Sequence, residues 1–182
     1  METFKALTER RTIHQYEKQA VPAEALEKAL KAAHFAPNHK LTFPWKFYVI
    51  GPESRSKIVE IVCLAKMTAV TEEMKASLAC KFVNPGILVG VSCTKSSDEF
   101  RAREDYAAVS CAIQNFMVSL YDSGYGSKWS TGGFTRHPNT YQLLSIDSTK
   151  EELVGFIMGG VPAKVPGPIP RPPLEEHVKR IP

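Results

Sequence analysis

Hydrophobic residues recur along this chain at two spacings, which predict separate sets of helices and strands. Apolar positions three and four residues apart predict amphipathic helices, here over residues 2–9, 21–35, 52–65, 67–82, 96–122 and 138–144. Alternating or continuous apolar runs of strand length predict strands, here over residues 45–50, 87–93, 128–131 and 151–158. Strands separated by helices favour one sheet with helices on its faces, an α/β or α+β sandwich.

The same spacing predicts which helix faces are buried. In the first helix, Phe4 and Leu7, with Thr8 beside them, are predicted to face the core. The helix over residues 96–122 has no polar face, which is typical of a helix in the middle of a domain or in a subunit interface. Ser96 and Glu99 have the spacing of a capping box at its start, and two glycines, at 124 and 126, are predicted to end it.

The length of 182 residues is enough for a substantial core, and we expect a single domain over residues 1–182. Its last part differs in composition, with prolines at positions 162, 166, 168, 170, 172, 173 and 182. Proline favours extended backbone and cannot pair in the interior of a sheet. We therefore expect residues 161–182 to form an extended tail that lies along another surface, of this chain or of a partner.

Charge and cysteine content exclude several classes of protein. The formal net charge is +4 and the basic residues are spread among acidic ones, so no nucleic-acid partner is indicated, whereas a phosphate-bearing small molecule is compatible. Cys63, Cys80, Cys93 and Cys111 lie far apart in apolar stretches, which predicts reduced, buried thiols and no metal site. Because there is no signal-peptide core and no apolar run of membrane length, we expect a soluble, cytoplasmic protein that binds no membrane.

The common catalytic motifs are absent from the sequence. It contains no G-x-S-x-G, no Walker sequence, no His–Glu pairing at metal spacing and no G-x-G-x-x-G fingerprint. No side chain is therefore predicted to act as a catalytic acid, base or nucleophile. Such a chain can still be an enzyme if a cofactor carries out the chemistry.

Four places could contact a ligand, and three of them also have a plain structural interpretation. Residues 36–50 pass from a polar loop into an aromatic strand. This stretch forms either a binding surface for a flat ligand or an ordinary helix–loop–strand connection. Residues 10–12 (RRT) match the oxygens of a phosphate monoester, or form a solvated helix end. Residues 131–133 (TGG) are either a turn or a place where backbone N–H groups meet a ligand. Arg171, among prolines, indicates that something holds the tail there.

Taken in order, several of these stretches resemble the nitroreductase family, most closely the short bacterial NAD(P)H nitroreductases that bind FMN. The motifs that carry the resemblance are Glu9-Arg10-Arg11-Thr12 followed by Tyr16, Ala36-Pro37-Asn38-His39-Lys40, Pro44-Trp45-x-Phe47-x-Val49, Trp129-Ser130-Thr131-Gly132, the strand end at 155–160, and Arg171-x-Pro173-Leu174-Glu175-Glu176. They cover essentially the whole chain. Their ordered combination is more specific than any one of them.

The resemblance implies an α+β homodimer, with a mainly antiparallel sheet flanked by helices and two FMN sites at the subunit interface. It implies a ping-pong reaction in which NAD(P)H gives hydride to flavin N5, and a small-molecule acceptor, such as a nitroaromatic or a quinone, then takes the electrons. This reaction needs no protein acid or base. The long apolar helix and the proline tail would then lie in the dimer contact.

The resemblance also assigns roles to individual residues. Residues 10–12 (Arg10, Arg11 and Thr12) would hold the FMN phosphate and ribityl chain, assisted by Arg171. His39 and its loop would approach the flavin from the partner subunit. The residues that would line the ring are Trp129, Ser130, Thr131 and Gly132. His14 would also contact the cofactor, at a position where the family often has arginine.

Departures from the family pattern bear on the choice of substrate. Besides His14, the chain has Phe43 where glutamine is common and Phe35 where close relatives have arginine. Exchange of polar groups for aromatic rings predicts a drier and narrower pocket. The alternatives left open are a relative specialised for reductive dehalogenation or for consuming the flavin, and a flavin- or phosphate-binding protein without turnover.

Overall fold

The computed structural model describes residues 3–66 and 69–182, and a four-stranded sheet lies at its centre. The strands are β1 (Trp45–Val49), β2 (Ile87–Thr94), β3 (Gly126–Ser130) and β4 (Glu151–Gly160). They lie in the order β1-β2-β4-β3, and every neighbouring pair is antiparallel. The predicted antiparallel sheet of an α+β fold is therefore confirmed.

Helices cover both faces of the sheet. They are α1 (Thr3–Glu9), α2 (Ala23–His34), α3 (Pro52–Leu64), α4 (Glu72–Phe82), α5 (Glu99–Asp122) and α6 (Pro138–Leu144). Helices α2 and α5 pack on one face, and α3, α4 and α6 pack on the other. The six predicted helices are present. The predicted starts at residues 2 and 67, including Met67 as an apolar contact, lie outside the described residues.

Side-chain caps determine where two of the helices begin. The Thr71 hydroxyl accepts a hydrogen bond from the Met74 backbone N–H at 3.3 Å, so α4 starts at Glu72, and residues 69–71 of the predicted helix are not helical. The capping box predicted for α5 is wrong. Its N-cap is Asp98, whose carboxylate accepts from the N–H groups of Phe100 and Arg101 at 2.9 and 3.3 Å.

Two glycines predicted to end α5 have different roles. Gly124, with φ of 86°, lies just beyond the helix end, as expected for a residue with left-handed backbone. Gly126 is instead the first residue of β3, so the strand begins two residues before the predicted position. A Cβ at Gly126 would collide with Ile13, and its absence allows the segment after α1 to cross the start of β3.

Several predictions of burial are wrong. In α1 only Ala6 is buried, whereas Phe4 and Leu7 are 77% and 53% exposed. The four cysteines are free as predicted, but Cys80 and Cys111 are exposed, because each lies on the side of its helix that faces away from the sheet. Cys93 is buried, and burial raises the pKa of its thiol to about 11. The described residues contain no group of side chains that could hold a metal ion.

The C-terminal tail is extended, with a single turn of 3₁₀ helix at Leu174–His177. Its start is fixed by two backbone hydrogen bonds, from Glu17 N–H to Val161 and from Ala163 N–H to Gln15. From residue 164 to residue 182 every residue is exposed. In the described ranges no helix has both the length and the apolar character that crossing a membrane requires.

A buried carboxylate links three strands of the sheet. Glu151, 6% exposed, accepts hydrogen bonds from Lys46 Nζ at 2.5 Å, Tyr48 Oη at 2.7 Å and Ser92 Oγ at 2.5 Å. Burial favours a higher pKa for Glu151, but these donors, first Lys46 and then Ser92 and Tyr48, outweigh it and lower the pKa. Burial and the Glu151 carboxylate raise the pKa of Tyr48 to about 12.

We expect Glu151→Gln to lower the free energy of unfolding by about 1–3 kcal/mol at pH 7, since the substitution removes hydrogen bonds to a charged group. Because the folded-state pKa of Glu151 lies below its ordinary value of 4.5, the carboxylate stabilises the fold above that pH and less as pH falls through the folded-state pKa. Urea unfolding from pH 7 to pH 3 should therefore show the difference shrinking. Glu152→Gln, at the exposed neighbouring residue, is the control and should change little. A constant difference across this range would contradict the assignment.

Candidate functional site

The end of α1 and the C-terminal tail together enclose a small cationic cavity. Its volume is about 160 Å³. The body of the chain supplies Arg10, Arg11 and Thr12, and the tail supplies Ile169 and Arg171, with Leu7 and Thr8 of α1 completing the wall. The structure thus brings together the four residues predicted to hold a phosphate. We call this space the arginine cavity.

Within the arginine cavity, Arg10 and Arg11 differ in their hydrogen bonds. Arg11 Nη1 donates to the carbonyl oxygens of Thr8 and Arg10, at 2.8 and 3.1 Å. Arg10 Nε and Nη1 are buried and have no hydrogen-bond partner in the described part of the chain. Burial, and then the charge of Arg11, lower the pKa of Arg10. A buried guanidinium without a partner is costly, so these atoms fit an anionic ligand such as a phosphate.

The cavity lies beside the start of β3. Thr12 forms a parallel bridge with Ser127, and Ile13 N–H donates to the Ser127 carbonyl at 3.0 Å. The loop that begins at Thr131 follows four residues further along β3, which corresponds to about 13 Å at about 3.3 Å per residue. The phosphate-binding candidates and the loop predicted to line the ring therefore lie along one edge of the sheet.

Three basic side chains, which we call the basic cluster, lie beside β3: His14, Lys81 and Lys128. Lys128 Nζ is 3.1 Å from His14 Nδ1. The charge of Lys128, then burial and the charge of Lys81, lower the pKa of His14. Burial is the largest cause of the lowered pKa of Lys81, and it also lowers that of Lys128. Among the described residues no salt bridge joins any of the three to a carboxylate.

Lys81 and Lys128 were not predicted as site residues. Lys81 lies near the end of α4 and Lys128 in β3. The fold brings Lys128 into contact with His14, and it brings the charge of Lys81 near enough to lower the pKa of His14. A lysine at the start of the strand predicted over residues 128–131 was the available sequence signal for Lys128. For Lys81 the sequence offers no signal beyond its charge.

Trp129 and the residues after it end β3 beside a second cavity. The Trp129 indole N–H is buried without a partner in the described structure and lies against Gly155, where a Cβ would collide with it. Ser130 is buried, whereas Thr131 and Gly132 are exposed. The second cavity has a volume of about 460 Å³ and is lined by Tyr106, Thr131, Gly132, Gly133, Thr135, Arg136, Glu152, Leu153 and Val154. Thr131 and Gly132 thus line a different space from Arg10–Thr12.

The loop that contains His39 is held by side chains on α5. His39 Nδ1 lies 2.6 Å from Glu104 Oε1, and Thr42 Oγ1 donates to Asp105 Oδ1 at 2.6 Å. Asn38 Oδ1 accepts from the Phe43 N–H, also at 2.6 Å. His39 is not among the described residues that line the arginine cavity of its own chain.

This loop is strained. Lys40, Leu41 and Phe43 have φ values of 62°, 52° and 45°, in the left-handed region that residues with a Cβ rarely adopt. Such strain persists only where surrounding contacts impose it, and it is concentrated at functional sites. Leu41 and Phe43 are 70% and 51% exposed, so the loop holds two apolar side chains in the solvent.

Phe35 and Phe43, the two aromatic departures from the family pattern, are both on the surface. Phe35 is 75% exposed at the end of α2. Phe43 stacks on His34, with ring centroids 6.0 Å apart, and His34 Nδ1 accepts from the Trp45 indole N–H at 3.3 Å. Neither phenylalanine belongs to the hydrophobic core of this chain.

Comparison with known sequences agrees with this architecture. The sequence model of the Nitroreductase family matches residues 7–161. YfhC from Bacillus subtilis, an inferred NAD(P)H nitroreductase, is 26% identical over 174 residues, which cover 92% of this chain and 88% of YfhC. YdjA from Escherichia coli, with the same inferred activity, is 25% identical over 179 residues, which cover 93% of this chain and 97% of YdjA.

Solved structures with a similar fold are also members of the nitroreductase family or resemble it. A nitroreductase-like protein from Bacillus cereus, 27% identical, has a TM-score of 0.85 and covers 100% of this chain and 96% of its own. An inferred nitroreductase from Desulfovibrio desulfuricans in complex with FMN, 22% identical, has a TM-score of 0.77 and covers 100% and 98%. Iodotyrosine deiodinase bound to FMN and 3-iodo-L-tyrosine, 21% identical, has a TM-score of 0.76 and covers 94% and 96%. Because the family model spans most of the chain, this protein belongs to the nitroreductase family.

Proposed function

We propose that this protein is an FMN-dependent oxidoreductase that uses NAD(P)H to reduce a nitroaromatic, a quinone or a related small molecule by a ping-pong mechanism. The observation that carries the proposal is the arginine cavity, where buried guanidinium atoms of Arg10 have no partner in the described structure. Bound FMN would accept hydride from NAD(P)H and pass the electrons to the acceptor. The chain itself would bind and orient the cofactor.

The spacing of the site supports FMN as the cofactor. The arginine cavity suits a phosphate, and the loop at Thr131 lies about 13 Å further along β3, a distance comparable to the length of FMN from its phosphate to the far edge of its ring. The basic cluster lies between them, with His14 against Lys128. Positive charge at this place would stabilise an electron-rich flavin ring, as fixed charges do where negative charge develops. Arg10, Arg11, Thr12 and Arg171 would hold the phosphate.

A homodimer is part of the proposal. The chain exposes large apolar side chains at Phe4, Leu7, Phe35, Leu41 and Phe43 and along the tail. Phe35 and Phe43 both lie beside His34, with ring centroids 6.5 and 6.0 Å from it, and contiguous exposed apolar area is typical of protein interfaces. The flavin site would be shared, with His39 and its strained loop reaching the cofactor held by the partner subunit, while Trp129, Ser130, Thr131 and Gly132 line the ring within one subunit.

The first experiment measures cofactor and turnover together. Purified protein reconstituted with FMN should show a flavin absorption spectrum and oxidise NADPH or NADH when a quinone or nitroaromatic is added. Heat should release FMN and no FAD. A protein that stays colourless with FMN, or that binds FMN but oxidises neither nucleotide with any acceptor, would overturn the proposal.

Reductive dehalogenation is a second candidate. It is favoured by the structural likeness to iodotyrosine deiodinase, which was solved with FMN and 3-iodo-L-tyrosine. Adding 3-iodo-L-tyrosine as the acceptor in the same assay separates the two candidates. Iodide release coupled to flavin oxidation would favour dehalogenation, and rapid quinone or nitroaromatic reduction without iodide release would favour the first proposal.

We expect Arg10→Gln to weaken FMN binding by about tenfold to a hundredfold, because a hydrogen bond to a charged group contributes roughly 1.5–3 kcal/mol. Arg11→Gln should weaken it less, since Arg11 Nη1 is already bonded to two carbonyl oxygens. Fluorescence titration with FMN and with riboflavin measures both effects. Riboflavin, which lacks the phosphate, should bind the native protein and both variants with similar, low affinity. Unchanged FMN affinity in Arg10→Gln would falsify the phosphate assignment.

We expect Phe43→Gln to change the choice of acceptor more than it changes stability. Phe43 is half exposed, and surface substitutions usually alter unfolding free energy by no more than about 0.5 kcal/mol. Both residues carry a Cβ, so the strain at φ 45° remains. The measurement is Tm together with the ratio of kcat/KM for a quinone and a nitroaromatic. Leu64→Gln, at another exposed apolar residue, is the control and should leave the ratio unchanged. A large fall in Tm with an unchanged ratio would identify Phe43 as a packing residue.

A further inference from the structure

The second cavity, beside the end of β3, has one basic and one acidic side chain in its lining. Arg136 follows the loop at residues 131–133, and Glu152 is the second residue of β4. Both residues are exposed, and among the described residues no salt bridge joins them to each other or to another side chain. A volume of about 460 Å³ is in the range of small-molecule sites. Both charges are therefore available to a ligand.

Hydrogen bonds hold the backbone that carries Arg136. Arg136 ends a single turn of 3₁₀ helix that follows Gly132. The Thr135 hydroxyl donates to the Gly132 carbonyl at 2.8 Å, and the Thr140 hydroxyl donates to the carbonyl of the buried Phe134 at 2.6 Å. Because this backbone is already ordered, a ligand that binds Arg136 does not have to order it.

The wall formed by β4 and α5 is acidic. Glu152 lies opposite Cys93 of β2 in the sheet register. Burial, and then the charges of Asp105 and Glu152, raise the pKa of the Cys93 thiol, so both carboxylates lie near the same sulfur. Asp105 is buried on α5, directly before Tyr106, which lines the cavity. The second cavity thus has negative charge on the side of β4 and α5, and positive charge at Arg136.

The proposed cofactor would leave this cavity to a second molecule. With its phosphate in the arginine cavity, FMN would extend along β3 over the roughly 13 Å that lead to Thr131. Thr131 and Gly132 line the second cavity. The cavity therefore begins where the flavin ring would end, which is a suitable place for the molecule that takes electrons from the ring.

We propose that the second cavity binds the electron acceptor and favours dipolar aromatic acceptors, which carry a carboxylate at one end and an ammonium group at the other. This inference rests on the proposed function. The carboxylate would accept hydrogen bonds from the Arg136 guanidinium, whose paired N–H groups match the two carboxylate oxygens. The ammonium group would donate to the Glu152 carboxylate. Leu153 and Val154, which also line the cavity, supply apolar surface for the aromatic ring.

The separation of the two protein charges favours a ligand whose own charges lie at opposite ends. Because Arg136 and Glu152 are not in salt-bridge contact in the described structure, a ligand that reaches both must span the space between them. A compound with a carboxylate alone gains at Arg136 but is repelled by Glu152, and a compound with an ammonium group alone meets the reverse. A dipolar compound gains at both.

Equilibrium binding to the oxidised, FMN-loaded protein tests the proposal, because no turnover occurs without NAD(P)H. The probes form a series that shares one nitro group: 4-(aminomethyl)-3-nitrobenzoate, which is dipolar, 3-nitrobenzoate, 2-nitrobenzylamine and nitrobenzene. Ligand-observed NMR titration measures the Kd of each probe. We expect the dipolar probe to bind the native protein most tightly.

Two substitutions in the cavity should give opposite patterns. Arg136→Gln should raise the Kd of the dipolar probe and of 3-nitrobenzoate by about twofold to fivefold, the size expected for one exposed ion pair. The same variant should not weaken the binding of 2-nitrobenzylamine. Glu152→Gln should weaken the binding of the dipolar probe and of 2-nitrobenzylamine by a similar factor, and should not weaken that of 3-nitrobenzoate. Nitrobenzene should bind all of these proteins alike.

Control variants separate the cavity from general charge. Arg180→Gln and Glu27→Gln remove the same charges at exposed positions that do not line the cavity, and they should change no Kd. Anaerobic steady-state kinetics with NADPH or NADH should show the cavity pattern in KM and little change in kcat, because both residues hold the acceptor without reacting.

Two results would overturn the inference. Equal changes for all four probes would identify a structural effect, and unchanged Kd values in both cavity variants would show that neither charge contacts the acceptor. If FMN binds and a quinone is reduced while either result is found, this inference fails alone. If FMN does not bind, the proposed function fails with it.

Discussion

β2 and β4 pair from Ile87↔Gly159 to Thr94↔Glu151 in the middle of the sheet, and helices pack against both of their faces. Apart from Glu152, Leu153 and Val154 of β4, which line the second cavity, these strands are covered, so ligands mainly reach the outer strands and the loops at strand ends. The segment that carries Arg10, Arg11 and Thr12 crosses the start of β3, where Gly126 leaves room for Ile13. The candidate site therefore lies along an edge of the sheet, beside the core.

Some buried charged groups of this chain have hydrogen-bond partners, and others have none among the described residues. Glu151 has three donors, from Lys46, Tyr48 and Ser92, so its burial costs little. Arg10 has buried nitrogen atoms without any partner in the described structure, and the basic cluster has no salt bridge to a carboxylate there. Because this fold supplies a full set of hydrogen-bond donors to one buried ion, Glu151, the lack of partners at Arg10 is a local property of the site beside β3. The cations left unpaired beside β3 are therefore the sites where an external anion contributes most.

The order and kind of the elements could be predicted from the sequence because periodicity records local geometry. Details that depend on contacts distant in sequence could not. The contact of His14 with Lys128, and the nearby charge of Lys81, require a segment after α1, the end of α4 and β3 to converge. The early start of β3 at Gly126 depends on Ile13. The arginine residues of the cavity were predicted because three of the four lining candidates are adjacent in sequence, and the fourth stands out among prolines.

The error in the predicted burial of Phe4 and Leu7 has a cause that periodicity alone does not reveal. Periodic apolar positions show that a side chain is buried somewhere, but they do not show in which chain. Phe4 and Leu7 have the spacing of a core face, yet α1 leaves them in solvent. In the loop, Asn38, Thr42 and Asp105 maintain left-handed backbone at Leu41 and Phe43, which point apolar groups outward. Strain and exposed apolar area both cost free energy in one chain. Burial of these side chains by a second copy would offset both costs, so the apolar pattern describes the assembly that we propose as much as the isolated fold.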